Sequence, residues 1–209
     1  MFEEVLDLSV LPFFQVSAKC YFCPKDKKIS KTNLLSSTSS YLKEKEFAKI
    51  YTAWQEDAFL LRIHVDVPFK NATSDFREVD SVELFFDTRD LKTKRFISQF
   101  CHHFVFFAKE VDGAYAKEVT RFRGDDAHPL CDPNSFQVTV NIAKSFYLMD
   151  ITIPAQNLYG YQPQDFKRMG FSYRINRTDG AAQNFSMHSE EYAIESNPHL
   201  WGTLCLDSL

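Results

Sequence analysis

The chain is poor in glycine, with 6 in 209 residues against 21 phenylalanines. That balance excludes a low-complexity or disordered chain, and no glycine-rich phosphate-binding loop is present. Positive charge is also short. Lys and Arg number 24 against 28 Asp and Glu, a formal net charge of −4. Without a basic field for phosphate backbones, nucleic acid is not an expected partner. No window approaches 18 uncharged apolar residues, and the opening run Met1-Phe2-Glu3-Glu4-Val5-Leu6-Asp7-Leu8 is acidic where a secretory leader is basic. Neither export nor a membrane partner is therefore expected. Cysteine is sparse and odd in number: Cys20, Cys23, Cys101, Cys131 and Cys205 do not make a disulfide framework in a domain of this size. Free thiols in a reducing, cytoplasmic compartment are the expectation. A nucleophile elbow, HExxH and a deaminase-type zinc signature are missing too, which points to a binding protein and not to an enzyme.

What the chain does have is alternation. Hydrophobic residues make up 44% and aromatics 15%, enough for a packed core in one domain. Phe59, Leu61, Ile63, Val65 and Val67 share one face of a run whose other face carries Arg62, His64 and Asp66. The same period of two recurs at Val82/Leu84/Phe86, Phe136/Val138/Val140/Ile142, Tyr147/Met149/Ile151/Ile153 and Met169/Phe171/Tyr173/Ile175. In the stretch Phe100 to Phe107 both faces are apolar beyond His103, as in a central strand. Turn signals such as Val111-Asp112-Gly113, Asp132-Pro133-Asn134 and Thr178-Asp179-Gly180 separate the runs. Repeated strands without intervening helices predict an all-β fold, an antiparallel β-sandwich spanning 1–209 as a single domain. Leu8 to Val16 reads as an added edge strand and Lys25 to Lys45 as a polar loop. A short helix is predicted only near Gln162 to Arg168, where Pro163 can open a turn.

Several residues could carry chemistry. Cys20-Tyr21-Phe22-Cys23 has the spacing of a redox or zinc pair but lacks a second pair to complete four ligands, so a structural role is expected. Cys101, His103, His128 and Cys131 form a richer candidate metal set, which suits zinc if the two segments meet. Neighbours on a strand face opposite ways, so Cys101 and His103 can act together and His102 cannot join them. The alternative is ordinary buried, hydrogen-bonded side chains. Asp125 and Asp126, beside His128, are carboxylates of the kind that ligate calcium or simply face water. By parity Ser81, Glu83, Phe85, Asp87, Ser172, Arg174 and Asn176, with Arg62 and His64, point away from the core. Charge, amides and an aromatic ring together suit a hydroxyl-rich ligand; an ordinary solvated sheet face is the competing reading.

Five segments, in order, resemble the family-nine carbohydrate-binding modules: 53–60 (AWQEDAFL), 80–87 (DSVELFFD), 149–154 (MDITIP), 169–176 (MGFSYRIN) and 198–204 (PHLWGTL). The likeness runs over 47–207 and leaves 1–46 as an N-terminal extension. It implies a β-sandwich without catalysis of its own that binds sugars, classically at chain ends, often with structural calcium. It also implies that Glu83 and Gln99 hydrogen-bond the sugar and that Trp54 and Trp201 are structural; His103, Arg174 and Asn176 are added here as candidate polar contacts. Where the family carries its two clamping tryptophans this chain offers Phe76 and Tyr192, and Cys101 stands where the family has an arginine. The expected function is a non-catalytic carbohydrate- or small-ligand-binding module, with calcium or zinc as the cofactor it would admit. A protein-interaction domain that has lost sugar binding, or a metal-binding protein built on the Cys/His set, are the alternatives. An exposed apolar patch would mark the first and bound metal the second.

Overall fold

Alternation becomes strand throughout the chain. A computed structural model describes residues 15–70, 76–188 and 192–208. Its strands are β1 (Ser17–Phe22), β2 (Ala48–Trp54), β3 (Ala58–Val65), β4 (Ser81–Asp87), β5 (Cys101–Val111), β6 (Ala114–Glu118), β7 (Gln137–Ile142), β8 (Tyr147–Pro154), β9 (Arg168–Asn176), β10 (Ala182–Asn184) and β11 (Gly202–Asp207). They hydrogen-bond in the order β6-β5-β4-β9-β11-β1-β2-β3-β8-β7, with β10 added on β9. The path is one continuous sheet, so the hydrogen bonding itself does not divide it into the two sheets of a sandwich.

The sheet nevertheless faces itself. Phe59 of β3 meets Phe86 of β4 and Phe171 of β9 at ring-centroid distances of 5.2 and 6.4 Å, although β3 is not a neighbour of either strand. Leu61, Ile63, Val82, Leu84, Phe104, Tyr147, Met149, Ile151, Tyr173 and Ile175 fill the same core. Each run read as core-facing from its alternation is thus core-facing, apart from the end of β7, where Ile142 is exposed. Burying one such Phe or Leu is worth roughly 1.5–3 kcal/mol, which is what specifies the pairing register.

Three expectations change. The pairing is mostly antiparallel, but β1 is parallel to both β11 and β2. Its position between them makes it an interior strand; the Leu8–Val16 edge strand lies outside the described residues except for Gln15 and Val16. The 162–168 segment is a single turn, in which the N–H groups of Asp165 and Phe166 both donate to the Gln162 carbonyl, and Arg168 already opens β9. The polar loop contains one short helix, α1 (Ser39–Leu42), and touches the sheet through a bridge from Leu34 to Tyr51. Among the described residues no helix is long and apolar enough to cross a membrane.

Glycine is placed where a side chain would not fit. In β11, a Cβ on Gly202 would come within 2.8 Å of the Phe185 ring, and Gly180 turns the β9–β10 hairpin with φ +81°.

Candidate functional site

Strand register assembles a polar cluster on the face of β4 opposite the core. Glu83 lies directly across from Arg174 of β9, and Ser81 across from Asn176. On the other side β5 brings His103 opposite Phe85, one pair along from Glu83. Arg174 grips the Glu83 carboxylate in a fork, Nε to Oε1 at 2.7 Å and Nη2 to Oε2 at 2.8 Å. Asn176 Nδ2 donates to Oε1 at 2.7 Å and to Ser81 Oγ at 3.1 Å. His103 Nε2 sits 2.8 Å from Oε2. Both carboxylate oxygens are therefore filled, and Glu83 has no exposed surface. Burial would push its carboxyl up, but the bonds from His103 and Arg174 and the arginine charge outweigh that and hold it at about 2.

The face is not open to solvent along its length, as parity alone suggested. Phe85 is covered by Ile97, Cys101, Ile194 and Trp201, a second small core supplied by the loops before β5 and before β11. Ser172 is buried and donates to the Phe185 carbonyl at 2.6 Å. What stays open is a pocket of about 310 Å³ lined by Arg174, Asn176, Arg77, Glu195, Ala182 and Ala193. Arg77 Nη2 and Glu195 Oε1 pair at 3.0 Å across its rim.

The predicted ligand residues divide. Glu83, His103, Arg174 and Asn176 come together, with Glu83 behind the other groups. Phe76 stands beside them, its ring edge-on to His103 at 6.4 Å, and Lys117 Nζ lies 5.3 Å from that ring. Tyr192 is 46% exposed and adjoins Ala193 of the pocket. The Gln99 side chain makes no hydrogen bond to the cluster among the described residues, while its main-chain N–H donates to Asp126 Oδ1 at 3.2 Å. Arg62 and His64 sit on β3, in the other half of the sheet, where Arg62 forks onto Asp150 at 2.6 and 3.0 Å. Trp54 and Trp201 are both buried, their indole N–H groups on the carbonyls of Asp207 and Ile194.

The Cys/His set separates as well. His103 belongs to the Glu83 face of β5. Cys101 packs against Phe85 with its thiol pushed up to about 12 by burial. Cys131 directs its Sγ to the Asn157 carbonyl at 3.3 Å. His128 instead meets His102, the histidine that parity had set aside, and Glu118, which alternation did not single out and which Cys131 also touches. These three side chains are buried, with their nearest ligand-type atoms all within 4.8 Å; among the described residues no other such group forms. Strand pairing explains it: Glu118 of β6 lies opposite Phe104, on the face of β5 that also carries His102. Burial lowers the His102 pKa, with Glu118 opposing in part. Burial would raise Glu118, but hydrogen bonds led by that from His102 leave it below the usual range. Asp126, the calcium candidate, is held by Lys94 Nζ at 3.1 Å as well as by the Gln99 N–H. Cys20 and Cys23 are buried, none of the five cysteines is joined in a disulfide, and Cys20 is pushed up to about 12 by burial, as a structural thiol would be.

The fold is that of carbohydrate-binding modules. A family-nine module from Caldicellulosiruptor kristjanssonii, solved with cellotriose, superposes with a TM-score of 0.63 at 16% identity, over 92% of this chain and 94% of that one. The form solved with glucose gives 0.61, again at 16% identity, over 92% and 97%. A crystal structure described as a putative carbohydrate-binding protein from Bacteroides uniformis gives 0.53 at 10% identity, over 92% and 99%. In sequence, residues 21–209 match the family described as carbohydrate family 9 binding domain-like, and the chain belongs to that family. No curated protein matches it.

Proposed function

We propose that this chain is a non-catalytic module that binds a saccharide in the pocket floored by Arg174 and Asn176. The carrying observation is that Glu83, buried beneath the pocket, fixes both side chains by hydrogen bonds at 2.7–2.8 Å, so the remaining Arg174 N–H groups and the Asn176 Oδ1 acceptor are oriented before a ligand arrives. A sugar hydroxyl both accepts and donates, which suits such a pair. The family and the cellotriose and glucose bound to its solved relatives support the same ligand class. A carboxyl held at about 2 supplies no general acid near neutrality, which supports binding over catalysis. Glu83 then acts by positioning, while Phe76 and Tyr192 supply the flanking rings. The five unpaired cysteines suit a reducing, cytoplasmic-type setting.

The test is calorimetry with glucose, cellobiose and cellotriose. Binding by at least one of them, weakened tenfold or more in Asn176→Ala when both proteins are measured well below their melting temperatures, is the expected result. No heat from any sugar on a folded protein overturns the reading.

A further inference from the structure

The buried triad on the opposite face of β5 has a proton deficit. His128 Nδ1 lies 2.9 Å from the Pro129 carbonyl, and its Nε2 lies 3.2 Å from the Cys101 carbonyl and 3.5 Å from Glu118 Oε1. Every one of these oxygens can only accept, and a neutral imidazole has one N–H to give. His102 repeats the problem. Its Nδ1 is 3.0 Å from Glu118 Oε1, while its Nε2 is buried without a hydrogen bond, near the Tyr159 carbonyl. Oε1 of Glu118 already accepts from Thr120 Oγ1 at 2.6 Å, and Oε2 takes the Cys131 N–H at 2.9 Å. With both imidazoles neutral the cluster thus holds more lone pairs than protons, and among the described residues no lysine or arginine pairs with Glu118.

We propose that His102 Nδ1, His128 Nε2 and Glu118 Oε1 ligate a structural zinc ion. A tetrahedral zinc about 2.1 Å from each ligand sets the ligands about 3.4 Å apart, and Glu118 Oε1 lies 3.0 and 3.5 Å from the two nitrogens. The metal would take the two inward lone pairs. It would leave His128 Nδ1–H for the Pro129 carbonyl and turn His102 Nε2–H toward Tyr159, the outer hydrogen bonds by which ligating histidines are oriented. Two imidazoles with one carboxylate suit zinc far better than calcium, which takes oxygen alone. The Cys101 carbonyl or a water would complete the tetrahedron. The His102 ring stacks on Phe104 at 5.2 Å and the His128 ring on Tyr159 at 5.7 Å, so the ligands are held by packing before metal arrives.

The experiment strips the full chain with a chelator and titrates it with Zn2+ by calorimetry and with Co2+ by visible absorption. One equivalent of each should bind, Zn2+ should raise the melting temperature, and His128→Gln or Glu118→Gln should weaken binding about 100-fold or more. Cys101→Ser should leave it unchanged. No metal uptake, or uptake lost in Cys101→Ser and kept in the other two, overturns the site. Should the ligand variants fail to fold, 113Cd loaded into the wild-type protein still decides. Coupling of cadmium to the rings of two histidines is expected, and its absence overturns the site equally. Since the pocket lies on the other face of β5, failure of sugar binding leaves this result untouched.

Discussion

Two buried glutamates lie on opposite faces of the sheet, each served by one of the consecutive histidines of β5, and they are solved differently. Glu83 has a fixed cation: Arg174 fills both oxygens and His103 and Asn176 complete the set. Glu118 has only neutral donors, from Thr120 and the Cys131 main chain, and imidazoles with lone pairs to spare. A charge is cheap to bury when its countercharge comes with it, and the first cluster is complete as it stands. The second is complete only when something positive joins it. One face of β5 therefore serves as a preset floor for a ligand and the other as a socket.

The comparison breaks most visibly at Glu83. Replacing it by Ala leaves the Arg174 guanidinium buried without its partner, which costs about 3–5 kcal/mol. In the metal-free protein Glu118→Gln strands no fixed cation and should cost less, about 1–3 kcal/mol. Urea unfolding of the two variants measures both, and equal losses would erase the distinction. Acid is the next largest lever. The Glu83 carboxyl falls from an ordinary 4.5 to about 2 on folding, so its contribution is complete above about pH 4.5 and is lost as the pH falls through 2. That loss is about 3 kcal/mol. Urea midpoints measured from pH 6 down to 2 should show a decline that Glu83→Gln flattens; an unchanged slope in the variant would assign the acid sensitivity elsewhere.

A smaller effect separates geometry from charge at Arg174. Arg174→Lys keeps the positive charge and loses the fork, so sugar affinity should drop about tenfold, roughly 1.4 kcal/mol, with stability less affected than in Glu83→Ala. Calorimetry with the best-binding sugar reads this, and full affinity in the variant would show that orientation by the fork is irrelevant. Smallest of all, Tyr192→Ala should alter the melting free energy by less than about 0.5 kcal/mol, because the ring is half exposed. A larger destabilisation would mean that Tyr192 is a packing residue and not a flanking ring for the ligand.

Much of this was legible in the sequence, and the boundary has a physical cause. Period-two alternation gave the facing of Glu83, Arg174 and Asn176, because the side chains of a strand have no other choice. The likeness to known modules placed β4 and β9 in the same sheet, and their direct pairing and register did the rest. Covering of that face was not legible, since it depends on where the loops carrying Ile97, Ile194 and Trp201 return. Glu118 was missed for a similar reason: beside Lys117 it reads as a solvated pair, and only the pairing with Phe104 turns it inward to His102. Parity correctly separated His102 from Cys101 and His103. It could not say which of the two faces would receive His128.

Strand β1 carries a consequence for how the chain comes to be folded at all. Ser17–Tyr21 pairs in parallel with Thr203–Asp207, at opposite ends of the sequence, and β1 reaches β2 through only its last two residues. During synthesis β1 must wait for its main partner through about 186 further residues, on the order of 10 to 40 s at about 5–20 residues per second. For that interval a strand containing Cys20 has few native hydrogen bonds, and unpaired strand edges are where foreign chains attach. Slow vectorial synthesis should thus favour aggregation through β1, whereas refolding of the finished chain, with both strands present from the start, should not suffer the same delay.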